Sequence, residues 1–289
     1  YLYNQTAMRR TLPALSLVTA SNHLYGKTGI MEYNPRNTLN HGIAWERPVS
    51  VEWLAPEDNG GFQIDCGLRI QGGGYIRNLY NYRSGSIPES KYSFRLYFRG
   101  DYGEGRLRQP IFPEVPADSF DTLVLRAGMN DATNPFLRDE FARRLGSDVG
   151  QVSARGTFVN LFLNGVYKGY YNPTERIDDD FLQTWHGGTN RWDIIAMGGE
   201  VREGDAIAWN AMRAYASANN LALAPRYLEI ERRLDTTNFV EYLIPLIYGD
   251  TDDWPHNNWR AARERTGGAR FRFYAWDAEW SFGYNNGPT

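Results

Sequence analysis

The dipeptide Asn164-Gly165 constrains this chain more than any other local feature. It lies between two β-prone runs, TFVNLFL at 157–163 and VYKGYY at 166–171. A two-residue Asn-Gly loop suits a type I′ turn, whose two central residues take positive φ and whose twist matches the strands it joins. An antiparallel hairpin is therefore expected over 157–171, and any fold for the chain must contain an antiparallel sheet. Other strand patterns precede it: an apolar run at 12–19, alternation at 49–54, a stretch at 67–71 leading into Gly72, Gly73 and Gly74, and FDTLVLR at 120–126. The clearest is SKYSFRLYFR at 90–99, where Tyr92, Phe94, Leu96 and Phe98 alternate with Lys91, Ser93, Arg95 and Arg99. That period of two predicts a half-buried strand with its basic residues on one face.

Helical spacing enters after residue 134. Phe136, Leu137, Phe141 and Leu145 recur at helical intervals, Asn134-Pro135 is a start signal and Gly146 a stop. Further helices are expected at 173–181, 206–218 and 237–248, the last ending at Gly249, before a strand at 270–276 that stops at DAEWSFG, 277–283. No repeat and no low-complexity linker divides the chain, so the expectation is an α+β protein, strand-rich first and mostly helical in its final third.

Composition narrows the function classes. The 289 residues, 42% of them hydrophobic, include no apolar run near the ~20 residues of a membrane span, which argues against disorder and membrane insertion. With 31 Lys and Arg against 34 Asp and Glu the net charge is −3, so no overall attraction to nucleic acid is encoded. A single Cys66 excludes an internal disulfide, and His23, His41 and His186 are scattered, a poor basis for a zinc site. The 9 Trp and 19 Tyr are of the kind common in extracellular and glycan-handling proteins. A start at Tyr1 fits a removed signal segment or a trimmed chain.

Chemistry concentrates in GDTDDWPHNNW, 249–259, with three aspartates, two asparagines and a histidine. Carboxylates this close repel, so a cation or a set of donors is expected among them, and Asp and Asn oxygens suit Mg²⁺ or Ca²⁺. Asp277 follows at the end of a strand, where a metal ligand's aim is fixed. An Asp, an Asn five residues on, a hairpin and an Asp turn closed by Gly is the order of a protein kinase's phosphoryl-transfer site. Asp252 with Asn257 and Asp253 with Asn258 both satisfy the five-residue spacing.

A wider set of strings resembles the spore coat protein H (CotH) kinase family: PALSLVT (13–19), SKYSFRLYFRGDYG (90–103), FLRDEF (136–141), LFLNGVYKGYYNPTERIDDDFL (161–182), DTDDWPHNNW (250–259) and WDAEWSFG (276–283). The resemblance runs in order over most of the chain. It implies one atypical, two-lobed protein-kinase-like domain over 1–289, with a strand-rich part at about 1–171 containing one helix and a more helical part at about 172–289. It further implies ATP and Mg²⁺ or Mn²⁺ as cofactors, transfer of phosphate to Ser or Thr of a protein substrate, and a secreted, cell-surface or spore-coat setting. Ending at Thr289, the chain stops soon after SFG, where kinases usually continue, which points to a missing C-terminal part.

Carried over residue by residue, the family's DWPxNN motif selects Asp253 with Asn258. Asp253 is then the catalytic residue that orients the acceptor hydroxyl and takes its proton, while Asn258 and Asp277 are metal ligands. The second acid of the family's WDxDW is Glu279 here, longer by one methylene, which makes a water-mediated metal contact an alternative for it. Lys91 matches the basic residue of the K-x-S-F-R strand and is the candidate to hold the α- and β-phosphates, with Arg95 its rival. Asp139 and Glu140 are candidate partners for that lysine, Asp139 matching the family's LRD, and Glu175 with Arg176 falls where a kinase places its adenine-contacting hinge. Gly72 to Gly74 occupy the place of a phosphate-covering loop without its usual pattern. Other readings remain: transfer of AMP instead of phosphate, a kinase-like adhesion or scaffolding module without catalysis, and a carbohydrate-active protein.

Overall fold

A computed structural model describes residues 12–32, 34–55, 61–79, 91–112, 115–128 and 137–283. The chain divides into two compact units, 1–132 with 156–176, and 133–155 with 177–289.

In the first unit seven strands close a barrel: β1 Ala14–Val18, β2 Arg47–Leu54, β3 Gly61–Ile70, β4 Phe94–Tyr97, β5 Thr122–Arg126, β6 Val159–Leu163 and β7 Val166–Thr174. Their order is β1-β2-β3-β4-β5-β7-β6. Neighbours are antiparallel except β1 and β6, which run parallel and complete the closure. Leu17, Leu68, Phe94, Leu96, Leu125 and Leu161 fill the interior. Alternation turns Arg69 and Arg95, which pair directly across β3 and β4, to the opposite face. There Glu46 accepts from Arg69 at 2.5 Å and Arg99 at 3.0 Å. A Cβ at Gly67 would collide with that carboxylate, so the strand carries glycine.

The expected hairpin is present. Asn164 has φ 49° and Gly165 φ 78°, both positive as a type I′ turn demands, and Leu163 pairs with Val166. Asn164 Oδ1 also accepts from the Thr19 amide at 2.9 Å, tying the turn to the end of β1. Two short helices belong to this unit, α1 Ser21–Leu24 and α2 Gly74–Leu79. Gly74 thus opens a helix, and only Gly72 and Gly73 form a turn, closed by Arg77 Nε on the Gly72 carbonyl at 2.8 Å. Regular pairing covers 94–97 of the predicted 90–99 strand; Ser90 lies outside the described residues.

The second unit holds α3 Arg138–Asp148, α4 Asp179–His186, α5 Ile207–Ala218, α6 Ala224–Glu231 and α7 Thr236–Tyr248. It also holds a four-stranded antiparallel sheet, β8 Trp192–Ala196, β9 Val201–Glu203, β10 Trp259–Glu264 and β11 Arg272–Ala275, in the order β11-β10-β8-β9. The expectation of a mostly helical final third is therefore corrected: β8 is buried at every residue, so it shows no alternation, and β10 reads as charged. The helix expected at 173–181 is corrected too. Pro173 and Thr174 end β7, and the helix starts at Asp179 because the Asp178 side chain accepts from the Phe181 amide at 3.2 Å, an N-cap. Gly146 does not stop α3, which runs to Asp148; a Cβ there would stand 2.9 Å from Ser153 Oγ. Asn134-Pro135 and Phe136 lie outside the described residues. The mixture of strand and helix is α+β, as expected.

Candidate active site

The β10–β11 ladder sets the geometry. Trp259 pairs with Ala275, so the loop that precedes β10 and the loop that follows β11 leave the same end of the ladder. Those loops are 249–258 and 276–283, the two richest in candidate residues. They are also bonded to each other: the Asp252 amide donates to the Trp280 carbonyl at 2.9 Å, and the Phe282 amide to the Gly249 carbonyl at 2.5 Å. A buried Thr251–Ser281 hydroxyl pair at 2.8 Å completes the strap. Backbone strain collects here. Among the described residues five non-glycine positions have positive φ, and four of them, Asp250, Asn258, Asp277 and Phe282, lie in these loops.

Asp253 is held from both sides. Its Oδ1 accepts from Asn257 Nδ2 at 2.5 Å and its Oδ2 from Asn258 Nδ2 at 2.9 Å. His256 Nε2 stands 3.2 Å from Oδ1. Both asparagines thus serve Asp253, whereas the neighbouring Asp252 uses its backbone to hold Trp280. Next to it, Trp254 anchors the loop on α7 by donating to the Tyr242 hydroxyl at 2.6 Å. Because Asn258 directs its NH₂ at Asp253, its carbonyl oxygen is the atom able to meet a cation.

The 276–283 loop is gripped by α3. Asp139 Oδ1 accepts from the Ala278 amide at 2.8 Å, and Phe141 meets Phe282 edge-on at 5.0 Å between ring centroids. Arg143, 1% exposed, holds the acids of that helix: Nε lies 3.2 Å from Asp139 Oδ2, and Nη2 lies 2.8 Å from Glu140 Oε2. Glu140 also binds Arg144 at 2.8 Å. Glu279 is buried and Arg260 lies over the Trp276 ring at 5.4 Å. Among the described residues no three His, Cys, Asp or Glu side chains are grouped to hold a metal. The set expected from the sequence, Asn258, Asp277 and Glu279, has two acids and one amide; all three offer hard oxygen donors, and Asn258 and Asp277 flank one end of one ladder, so it suits Mg²⁺ or Mn²⁺. Thr251, Ser281 and Phe282 escaped the sequence reading as supports, since their contacts join segments about 30 or more residues apart; Arg143 escaped it because its acidic partners on α3 were assigned to Lys91.

The other candidates sit on the barrel unit. Lys91 Nζ lies 4.8 Å over the Tyr170 ring and 5.1 Å over Tyr171. Arg95 reaches Gln71 Oε1 and donates to the Tyr97 hydroxyl at 3.1 Å, so this rival of Lys91 is engaged on the barrel's own surface. Glu175 is 3% exposed, just past the end of β7.

None of the curated proteins matches the sequence. The family described as CotH kinase protein does, over residues 68–288, which include every residue named above as a candidate. The match spans most of the chain, and the chain belongs to the CotH kinase family.

Proposed function

We propose that this chain is a metal- and ATP-dependent protein kinase that transfers phosphate to Ser or Thr of an exported or surface protein. The observation that carries the reading is the Asp253 carboxylate, fixed by amide donors on both oxygens beside the loop that bears Asp277. Donors on both oxygens fix the plane of the carboxylate, and a base held in one orientation is what aligning a nucleophile requires. Asp253 aligns the acceptor hydroxyl and takes its proton as the new O–P bond forms and ADP departs. Asp277 and the Asn258 carbonyl would hold the divalent cation, with Glu279 in direct or water-mediated contact. That cation, when bound, neutralises charge on the β- and γ-phosphates. Lys91 is the proposed cation for the α- and β-phosphates, and Glu175 the proposed adenine-side residue.

Transfer of label from γ-labelled and from α-labelled ATP to protein tests the reaction. The γ label should move and the α label should not. Asp253→Asn and Asp277→Asn should each lower transfer by about 10²-fold or more with the unfolding midpoint little changed. Movement of the α label instead would replace phosphate with AMP transfer. Undiminished transfer in both variants would remove Asp253 and Asp277 from the chemistry.

A further inference from the structure

We infer that Asp139 is a positioning residue for Asp277, acting through the peptide that joins Asp277 to Ala278, and that its role resides in one acceptor oxygen rather than in its charge. The inference rests on the functional reading above. Asp277 has φ of +64°, a conformation L residues seldom keep unless neighbours hold it. Its carbonyl carbon shares a rigid peptide plane with the Ala278 amide, so whatever fixes that amide fixes Asp277 ψ and the direction of its Cβ. Asp139 Oδ1 does so at 2.8 Å, in a place where Ala278 is 2% and Asp139 7% exposed.

The acceptor is itself held. Arg143 reaches the Asp139 carboxylate at 3.2 Å and its carbonyl at 3.3 Å, donates to the Ala154 carbonyl at 2.8 Å and pairs with Glu140 at 2.8 Å. Position therefore passes from the first turn of α3 to the peptide after Asp277 through the Ala278 amide. A charge-pair role for Asp139, the one expected from the sequence, makes a different prediction from this one.

The test compares Asp139→Ala and Asp139→Asn in the full chain. Asparagine keeps an oxygen for the Ala278 amide but turns an NH₂ towards Arg143, so it should lower the unfolding midpoint while leaving the loop in place. Hydrogen exchange at the Ala278 amide should quicken about tenfold or more in Asp139→Ala, the loss of one charge-assisted bond, and stay near wild type in Asp139→Asn. Mn²⁺ affinity in the presence of ATP should fall about tenfold in the alanine variant and within about twofold in the asparagine variant. An asparagine variant as weak as alanine in metal affinity overturns the inference in favour of a charge role. Unchanged Ala278 exchange in the alanine variant also overturns it. Should alanine prevent folding, the asparagine variant alone decides, because a merely structural residue would lose stability and metal affinity together. A wild-type chain that binds no Mn²⁺ with ATP overturns the functional reading, and the exchange arm then still decides whether Asp139 holds the loop.

Discussion

In the barrel, β4 buries Phe94 and Leu96 and turns Arg95 outward, and the same two-residue rhythm places Glu46, Arg69 and Arg99 on the far side of the wall from the apolar interior. Along β3 and β4 the pleat keeps polar and apolar groups apart. In the second unit they are mixed: Arg143, Asp139 and Glu140 are buried together beside Ala142, and Asp193 is buried in β8 with Arg263 and Arg265 at 3.6 and 3.5 Å. Regular pairing needs few special residues, and the one non-glycine positive φ described in the barrel is a hairpin Asn. The second unit carries the other four, all in the two loops that hold the candidate site. Strain and buried charge persist where surrounding packing over-determines them, and such places are where reactive groups can be aimed.

The contrast can be broken by experiment, beginning with Arg143→Ala. It leaves two buried carboxylates and the Ala154 carbonyl without their guanidinium, and should cost about 3–5 kcal/mol, read from the urea midpoint. A loss below about 1 kcal/mol would show the pair network to be incidental. Leu96→Ala should cost about 2–5 kcal/mol through a cavity in the barrel, with ATP-dependent Mn²⁺ affinity unchanged. A parallel fall in metal affinity would erase the distinction between a core that only supports and loops that act.

The smallest effect sharpens the comparison by pH. Burial, with Arg272 alongside, pushes His186 down from 6.5 to about 4. Arg272 Nη1 donates to Nδ1 at 3.1 Å, so Nε2 carries the proton given to the Tyr274 hydroxyl at 2.8 Å. The unfolded chain takes up a proton near pH 6.5 and the folded one only near 4, so the contribution is present above 6.5 and is lost as pH falls between these values. Wild type should lose more thermal stability than His186→Gln between pH 7 and 5; equal losses would show that His186 is not the group responsible.

Much of this was legible in local chemistry. The Asn164-Gly165 turn, the alternation around Leu96 and the acidic cluster at 249–259 each follow from residues adjacent in sequence, and their structures follow the patterns closely. Strand β8 was not legible, because WDIIA is buried on both faces and has no period. The helix expected at 173–181 failed for a related reason: helical and strand signals overlap at Pro173 and Thr174, and pairing of Thr174 with Val124 on β5 decided for strand. Within the site, the acids were visible and their supports were not. Thr251 with Ser281 and Asp139 with Ala278 are separated by 30 and 139 residues.

By itself, then, the order of residues determined which side chains can do chemistry and where turns must fall, since turn geometry and carboxylate chemistry are properties of a few neighbouring residues. Only the tertiary structure decided that Asn257 joins Asn258 in holding Asp253, which end of the β10–β11 ladder carries both loops, and that α3 grips the peptide after Asp277. The physical reason is range. A hydrogen bond acts over about 3 Å whatever the separation along the chain, and the closure of long loops that brings such partners together is driven by burial elsewhere in the fold.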